Sequence, residues 1–469
     1  DYLAIDPLFG NMQDFDELLA KAHARDCRVV IDLVPNHTSD QHSWFKQSQA
    51  NKTNDKRDYY VWRDPAPGGG APNNWQSISG GSSWEFDDTS GQYYLHTFMS
   101  NQPDLNWDNP KVRHEIYAVM RFWLDKGVDG FRVDAIWPLS KDPEFRDDPI
   151  NPNFQGPEGH YGNTIHAMCK SGPNLSTYLR ELTDVVASYD DKFAFFEYYP
   201  DHQLGDVNQQ YYSVVQVNPQ VSAPFYFEAI KVPFTADAYR GVLGDLYSNL
   251  PAGGVFAMCL GNHDHSRLLS RCGSEQSKLL AVLQLTLPGI PTIYYGEELG
   301  MQDAVIDAYE RHDNFAIGVG GMGGRDPERT PMRWDASEHA GFSKATPWLP
   351  IGDGVDQCNV EFELNDNSSY LSLYRTLLSL RKQHKALRSG ELKMLHDLPT
   401  GVLAYECIYQ DETLCVVLNF TNASQAVTLP YTTNILCSTH INEGATMAVK
   451  DLRLLPYEAV VANKNQQLI

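Results

Sequence analysis

The feature that most restricts the fold is a repeated alternation of helical patterns with short, almost wholly apolar runs. Val112, Ile116, Met120 and Trp123 fall on one face of a predicted helix, and the run GVDGFRVDAI follows at 127–136. Runs of this kind are typical of parallel strands that are buried on both faces. The same alternation recurs along the first two thirds of the chain, so the sequence predicts a parallel α/β core.

The number of apolar runs defines the expected architecture. Five apolar runs predict strands, and they lie at 28–34, 127–136, 192–199, 254–264 and 290–300. A sixth strand is expected at 223–228. A closed barrel of this class has eight strands, and no further suitable run is found downstream. We therefore expect a (β/α)8 TIM barrel, of the α/β class, whose first β-α-β unit lies before Asp1.

Two segments interrupt the alternation and predict further domains. Residues 38–109 are rich in Gly, Pro, Asn and aromatic residues, and they predict an irregular insertion domain. This insertion would follow the strand at 28–34, which is the third strand of the complete barrel. From residue 391 only strand-like runs remain, so 391–469 is expected to form a C-terminal antiparallel β-sandwich domain. The catalytic barrel would then comprise 1–37 and 110–390.

The charge balance excludes several classes of partner. The 469 residues contain 37 Lys and Arg against 60 Asp and Glu, a net charge of -23, which repels nucleic acids and anionic membrane surfaces. Neutral ligands are the expected partners, and the oligomeric state stays open. The eight cysteines include no CxxC pair and suggest no metal-ligand spacing to His, so we expect buried thiols, a cytoplasmic location and no metal site.

Three carboxylates at the ends of different predicted strands indicate the chemistry. Asp134, Glu197 and Asp264 occupy the strand ends where barrel enzymes carry their active sites. Cleavage of a glycosidic bond needs one protonated carboxyl and one ionised carboxylate. Arg132 projects on the same side of its strand as Asp134 and is expected to hold it ionised, as a nucleophile requires. Glu197 follows the apolar run FAFF, where desolvation would raise its pKa, as a general acid requires.

Other acidic residues compete for these roles. Glu228 and Glu298 are alternative general acids, whereas Glu297 and Glu298 are more simply explained as structural residues of the last strand. Asp87, Asp88 and the residues around Asp104 do not fit an EF-hand and are expected to form a solvated loop.

Short motifs in a fixed order resemble the signature regions of the α-amylase superfamily. The four main ones are DLVPNH (32–37), GFRVDA (130–135), FFE (195–197) and GNHD (261–264), and QPDLNW (102–107) is similar to a further region. GEELGM (296–301) and GRDPERTPMRW (324–334) resemble the oligo-α-glucosidase branch. The resemblance extends over nearly the whole chain, and it implies a retaining, exo-acting α-glucosidase that works through a covalent glucosyl-enzyme intermediate.

The resemblance also implies a role for each matching residue. It assigns three catalytic residues and four that line the subsite for the terminal glucose: Asp134 as nucleophile, Glu197 as acid/base and Asp264 as the carboxylate that grips sugar hydroxyls, with His37, Arg132, His263 and Arg325 as binding residues. No cofactor is expected for the chemistry, and the structural calcium of many relatives would lie in an N-terminal segment before Asp1.

Two positions bear on specificity and on the fit to the family. Val after the nucleophile accompanies α-1,6 specificity in this branch, and here the residue is Ala135, so we expect cleavage of maltose-like α-1,4 bonds. Phe196 stands where the third region usually carries Gly.

Two other functions are alternatives to an α-glucosidase. One is a glucosyl transferase or isomerase on the same scaffold, forming trehalose or isomaltose, and the other is a non-catalytic ancillary protein of the amylase type.

Overall fold

The computed structural model describes residues 1–157, 159–313, 324–440 and 448–465. Residues 314–323 of the predicted barrel domain, and 441–447 and 466–469 of the predicted C-terminal domain, lie outside the described residues. The chain divides into two compact units, Asp1–Phe225 with Pro251–Gly254 and Tyr226–Leu250 with Val255–Ile469. The domain boundaries inferred from the sequence stay predictions.

The first unit contains the parallel strands that carry two of the candidate carboxylates. Its elements are α1 (Met12–His23), β1 (Val30–Leu33), α2 (Ser43–Ala50), β2 (Trp62–Arg63), β3 (Trp84–Asp87), β4 (Gln92–Leu95), α3 (Pro110–Lys126), β5 (Gly130–Val133), α4 (Leu175–Ala187), β6 (Phe193–Phe196), α5 (Val207–Val215) and β7 (Ser222–Tyr226). Strand β5 pairs in parallel with β1 on one side and β6 on the other, and β6 pairs in parallel with β7. The predicted parallel arrangement is confirmed for these strands.

Helix α3 shows how local sequence sets the boundaries of an element. The Asn109 side chain accepts a hydrogen bond from the Lys111 N–H, and Pro110 occupies the first helical position, where its missing N–H costs nothing. The helix ends at Gly127, which adopts φ 104°, a left-handed conformation that favours glycine. Val112, Ile116, Met120 and Trp123 are all buried, so the predicted apolar face is confirmed.

Strand β1 departs from the expectation that it is buried on both faces. Val30 is 39% exposed, and among the residues of β1 only Leu33 is buried. The physical reason is that β5 is the one parallel neighbour of β1 in the described part of the first unit. The preceding helix α1 is also little buried, since Leu19 is buried and Leu18 is 56% exposed.

The predicted insertion contains a small antiparallel sheet with its own core. Strands β2, β4 and β3 are adjacent in that order, with β4 in the centre. Trp75 and Trp84 stack with ring centroids 6.2 Å apart and pack with Val61 and Leu95 into one buried cluster. These two tryptophans therefore serve packing.

The second unit contains two more parallel strands and the C-terminal sheet. Its elements are α6 (Glu228–Lys231), α7 (Ala236–Ser248), β8 (Ala257–Cys259), α8 (Leu268–Cys272), α9 (Ser274–Thr286), β9 (Ile290–Thr292), α10 (Val360–Glu363), α11 (Tyr370–Gln383), α12 (Ala386–Ser389), β10 (Glu391–Met394), β11 (Val402–Tyr409), β12 (Glu412–Asn419), β13 (Gln425–Ser438), β14 (Ala448–Leu454) and β15 (Ala459–Lys464). Strands β8 and β9 pair in parallel. The last six strands form an antiparallel sheet in the order β10-β11-β12-β15-β13-β14.

The cysteines and the helices bear on the environment of the chain. All eight cysteines are free, and Cys259, Cys407 and Cys415 are buried as expected. Cys27, which follows α1, is exposed, so the prediction of a buried thiol is wrong at that position, and the other four cysteines are only partly buried. None of the helices in the described part of the chain has the length and apolar character needed to span a bilayer.

Candidate active site

The backbone of the parallel strands fixes Asp134 and Glu197. Each residue directly follows its strand, Asp134 after β5 and Glu197 after β6. The Asp134 N–H donates to the Leu33 carbonyl at 2.9 Å, and the Glu197 N–H donates to the Val133 carbonyl at 2.9 Å. The parallel ladder thus continues through both residues, so their side chains leave from rigid backbone.

The Arg132 guanidinium joins three carboxylates. Its Nη2 lies 2.8 Å from Glu197 Oε2, and its Nη1 pairs with Asp134 Oδ1 and lies 2.9 Å from Asp32 Oδ1. The predicted pairing of Arg132 with Asp134 is therefore present in the structure. Asp32 was missed by sequence reasoning, although it lies within the DLVPNH motif and directly opposite Arg132 in the β1–β5 register.

Burial sets the protonation of Glu197. The side chain is almost inaccessible, and burial is the largest cause that raises the pKa of Glu197 above its ordinary value. The Arg132 guanidinium lowers this pKa and the Asp134 carboxylate raises it, and the net direction is upward. A carboxyl group in this environment stays protonated at higher pH than an exposed glutamic acid, as a general acid requires.

A strained backbone conformation connects the two carboxylates. Ala135 has φ 43°, in the left-handed region, and its N–H donates to Glu197 Oε2 at 3.0 Å. A non-glycine residue in this region costs of order 1 kcal/mol, and such residues cluster at functional sites. Phe196, the departure from the family pattern, is fully buried and belongs to the core below Glu197.

His37 lies in the first unit, beyond the end of β1, and it is buried. Gln102 Nε2 donates to His37 Nε2 at 3.1 Å, and the ring packs against Phe98 with centroids 5.1 Å apart. Burial, the largest cause, lowers the pKa of His37, so the imidazole is neutral at physiological pH. The Tyr2 hydroxyl bonds to the His37 carbonyl at 3.0 Å and to the Val34 carbonyl at 2.9 Å, which anchors the loop that carries His37.

In the second unit, Asp264 is surrounded by basic groups. Arg325 Nη1 lies 2.8 Å from Asp264 Oδ1, Arg329 Nη2 lies 3.1 Å from the same oxygen, and His263 Nε2 lies 3.6 Å from Oδ2. Burial alone raises the pKa of Asp264, but attraction by His263, Arg325 and Arg329 outweighs it and holds this pKa below its ordinary value. Asp264 is therefore an ionised hydrogen-bond acceptor, as the binding of sugar hydroxyls requires.

A second aspartate orients Arg325. Arg325 Nε lies 2.9 Å from Asp313 Oδ2 and Nη2 lies 2.9 Å from Oδ1, a bidentate pair that leaves Nη1 for Asp264. The structure thus brings together Asp264, His263 and Arg325, as predicted, and adds Asp313 and Arg329. Arg329 is part of the GRDPER sequence, so the motif contained the signal for it, whereas nothing in the local sequence identifies Asp313.

Glu297 and Glu298, the two residues expected to be structural, both contact the backbone close to the last parallel strand. Glu297 is buried, which raises its pKa to about 8, and its Oε2 accepts a hydrogen bond from the Tyr294 N–H at 3.2 Å. Glu298 Oε2 accepts from the Gly296 N–H at 2.8 Å. Both carboxyls therefore bind the backbone of the loop after β9, in agreement with a structural role.

Comparison with known proteins identifies the family of the chain. The model of the α-amylase catalytic domain matches residues 1–390. An oligo-1,6-glucosidase of Halalkalibacterium halodurans is 35% identical and aligns with 99% of this chain and 88% of its own. A probable α-glucosidase of Rhizobium meliloti is 36% identical over 92% of this chain and 80% of its own. The crystal structure of the trehalulose synthase MutB from Pseudomonas mesoacidophila MX-45 has a TM-score of 0.86 and 33% identity, covering 99% of this chain and 88% of that one.

Parallel strands that end in carboxylates, together with an antiparallel C-terminal sheet, define a barrel enzyme with a β-domain. The chain belongs to the α-amylase family and is a glycoside hydrolase. Its fold class, a (β/α)8 barrel with a C-terminal antiparallel β-domain, is thereby confirmed.

Proposed function

We propose that this protein is a retaining, exo-acting α-glucosidase that removes terminal α-linked glucose from short, neutral oligosaccharides. The observation that carries the proposal is the Arg132 guanidinium, which binds Asp134 with one nitrogen and Glu197 with the other. Two carboxyls held by one guanidinium are close neighbours, and a short separation of about 5 to 5.5 Å distinguishes retaining from inverting sites.

The chemistry would proceed in two steps. Asp134 attacks the anomeric carbon while Glu197 gives its proton to the leaving glycosidic oxygen, so a covalent glucosyl ester forms and the aglycone departs as an alcohol. Glu197, now ionised, then takes a proton from water, and the resulting nucleophile displaces Asp134. The burial of Glu197 supports the first role and Arg132 supports the second, since a nearby cation stabilises the ionised form.

Asp264 and its basic neighbours would bind the hydroxyl groups of the terminal glucose. The low pKa of Asp264 supports an acceptor role, and the bidentate Asp313–Arg325 pair supports a rigid donor for the same sugar. His37 and His263 complete the proposed binding residues. No cofactor takes part in this scheme, so activity should survive exhaustive treatment with a chelator.

The linkage preference would depend on the residue after the nucleophile. Ala135 is buried, follows Asp134 directly and donates its N–H to Glu197, so we infer that its side chain would limit the space beside the scissile bond. A methyl group leaves more room there than a branched side chain, which supports a preference for maltose-like α-1,4 bonds. The names of several relatives refer to α-1,6 bonds, so the specificity constants for maltose and isomaltose decide this point: a higher value for isomaltose contradicts the proposal.

A glucosyl transferase or isomerase is the second candidate, and the similarity to a trehalulose synthase favours it. The two activities differ in whether water or a sugar hydroxyl accepts the glucosyl group. Product analysis with sucrose and maltose separates them, because hydrolysis releases free glucose and isomerisation yields a rearranged disaccharide.

The decisive assay follows the anomeric form of the first product by NMR in wild type and in Asp134→Asn. Retention predicts initial α-glucose from the wild type and a loss of turnover in the variant. Initial β-glucose, or undiminished turnover without Asp134, contradicts the mechanism. We also propose a cytoplasmic location, supported by the eight free thiols, three of which are buried, and cell fractionation tests it.

A further inference from the structure

The long loop between β5 and α4 carries a buried cluster that the proposed glycosidase chemistry does not use. Asp148, His166 and Cys169 each offer one ligand-type atom, and these atoms all lie within 4.8 Å of one another. Asp148 is 2% exposed and His166 is 5% exposed. The expectation that no Cys lies at a metal-ligand spacing from His is wrong at this point, since only two residues separate His166 from Cys169. The segment is irregular, and Asp148 lies well upstream of both residues, so no local pattern connects the three.

The two distances from His166 Nδ1 to the other ligand atoms are close to the edges of a tetrahedral metal site. With metal–ligand bonds of about 2.0–2.1 Å to nitrogen, about 2.1 Å to oxygen and about 2.3 Å to sulfur, tetrahedral angles place N and S about 3.6 Å apart and N and O about 3.4 Å apart. The structure has 3.5 Å between His166 Nδ1 and Cys169 Sγ, and 3.7 Å between His166 Nδ1 and Asp148 Oδ2.

Outer contacts orient two of the three ligands. His166 Nε2 lies 2.8 Å from the Tyr161 carbonyl, so Nε2 carries the proton and the lone pair of Nδ1 faces the cluster. The Tyr161 and His166 rings also stack with centroids 3.7 Å apart, which fixes the plane of the imidazole. Asp148 Oδ1 accepts the Met168 N–H at 2.7 Å and thereby aims Oδ2 inward. Ligating histidines and carboxylates are typically fixed by partners of this kind.

Among the described residues, the Asp148 carboxylate of the cluster faces no cation in ion-pair contact. The groups next to it are the Cys169 thiol, whose pKa is raised by burial and by this carboxylate, and His166 Nδ1 at 3.7 Å. Asp148 Oδ2 is buried and no donor in the described part of the chain hydrogen-bonds to it. The nearby lysines pair with other carboxylates, Lys141 with Asp104 at 2.9 Å and Lys170 with Asp201 at 3.0 Å. A buried carboxylate with only neutral neighbours is costly, so a cation at this point would stabilise it.

We propose that Asp148, His166 and Cys169 form a zinc-binding site. One carboxylate and one thiolate balance the charge of a divalent cation, and neutral imidazole completes a ligand set of O, N and S atoms that Zn²⁺ accepts. Ca²⁺ and Mg²⁺ prefer oxygen ligands only, so the histidine and the cysteine argue against both. Binding releases the thiol proton of Cys169 to solvent, and a water molecule would take the fourth position.

The proposed site lies where the β5–α4 loop contacts the insertion, through Asp148 and through Cys169. Asn74 in the insertion bonds to the backbone of Asp148 through both of its side-chain atoms at 2.8 Å, and Cys169 packs against the tryptophan cluster of the insertion. Cys169 is followed by Lys170, whose partner Asp201 lies just beyond Glu197. A metal bound here would therefore stabilise the loop that begins next to the proposed nucleophile.

Metal titration of the purified, chelator-treated protein tests the site. Co²⁺ serves as the probe, because a thiolate ligand gives a sulfur-to-cobalt charge-transfer band in the near ultraviolet, and Zn²⁺ should remove that band by displacement. We expect one equivalent per chain, and a rise in Tm on addition of Zn²⁺. Asp148→Asn keeps an acceptor for the Met168 N–H and should weaken binding by at least 10- to 100-fold.

Cys169→Ser should abolish the charge-transfer band, and Cys27→Ser, which changes an exposed thiol, is the matched control that should leave the band intact. Far-UV circular dichroism verifies folding, and Asp148→Asn decides the case if Cys169→Ser does not fold. An absent charge-transfer band in wild type, or equal binding by wild type and Asp148→Asn, overturns the proposal and identifies the cluster as a hydrogen-bonded Cys–His pair.

Discussion

Replacement of Glu197 by Gln removes a proton while keeping the shape of the site. Glu197 Oε2 takes two hydrogen bonds, from Arg132 Nη2 at 2.8 Å and from the Ala135 N–H at 3.0 Å. The amide oxygen of Gln can accept both, so the strand ends should stay in place. What disappears is the acid that protonates the leaving oxygen and the base that activates water.

The expected loss follows from the size of general acid catalysis. A positioned acid contributes about 10²- to 10⁴-fold, which corresponds to roughly 3 to 5 kcal/mol of activation free energy. For maltose, whose leaving group is a sugar alkoxide, kcat should fall by about that factor. α-Glucosyl fluoride needs little protonation, so its first step should be nearly normal in Glu197→Gln, and azide should restore turnover by attacking the glucosyl ester without a base.

Initial rates with the two substrates, measured with and without azide, test this reasoning. The raised pKa of Glu197 adds a pH criterion: maltose hydrolysis should fall as the pH rises through that pKa, since the acid must be protonated. Glu298→Gln is the matched control and should keep near wild-type kcat. Equal losses for maltose and glucosyl fluoride with no azide rescue, or a large loss only in Glu298→Gln, would refute the assignment of Glu197.

Three further substitutions test the specificity, the binding and the fold. Ala135→Val should lower kcat/KM for maltose relative to isomaltose by at least about 10-fold, the scale of one or two methyl groups in a pocket; an unchanged ratio contradicts the proposed steric role. Arg325→Lys loses the bidentate geometry that orients it towards Asp264 and should raise KM for maltose about 10-fold or more, with far-UV circular dichroism unchanged. Gly130→Ala would place Cβ 1.8 Å from the Phe193 carbonyl oxygen and should lower the free energy of unfolding by at least 1–3 kcal/mol in urea titrations; wild-type stability would mean that β5 and β6 can separate freely.

The sequence predicted what depends on local pattern. The apolar face of α3 was predicted from its periodicity. The two ends of the helix depend equally on local sequence, because Asn109, Pro110 and Gly127 each act on their neighbours in the chain. Asp134 and Glu197 could be predicted because the end of an apolar run marks the end of a parallel strand, and barrel enzymes carry their catalytic groups at these ends. The pairing of Arg132 with Asp134 was also predictable, since the two residues are separated by a single position on one strand.

The sequence did not predict what depends on distant parts of the chain. Asp32 contacts Arg132 only because β1 and β5 pair in one particular register, across a separation of 100 residues. The exposure of Val30 likewise depends on which strands flank β1. Asp313 was missed because its contact with Arg325 connects irregular segments that carry no periodic signal.

The covalent intermediate on Asp134 is the central claim, and trapping it is the most direct test. A 5-fluoro-α-glucosyl fluoride has a good leaving group and a slowed second step, so the glucosyl ester should accumulate on the wild-type protein. Digestion and mass spectrometry should find one fluoroglucosyl group per chain, attached to the carboxylate of Asp134. A label on another residue, or the absence of any label while the substrate is turned over to the β-anomer, would contradict the account.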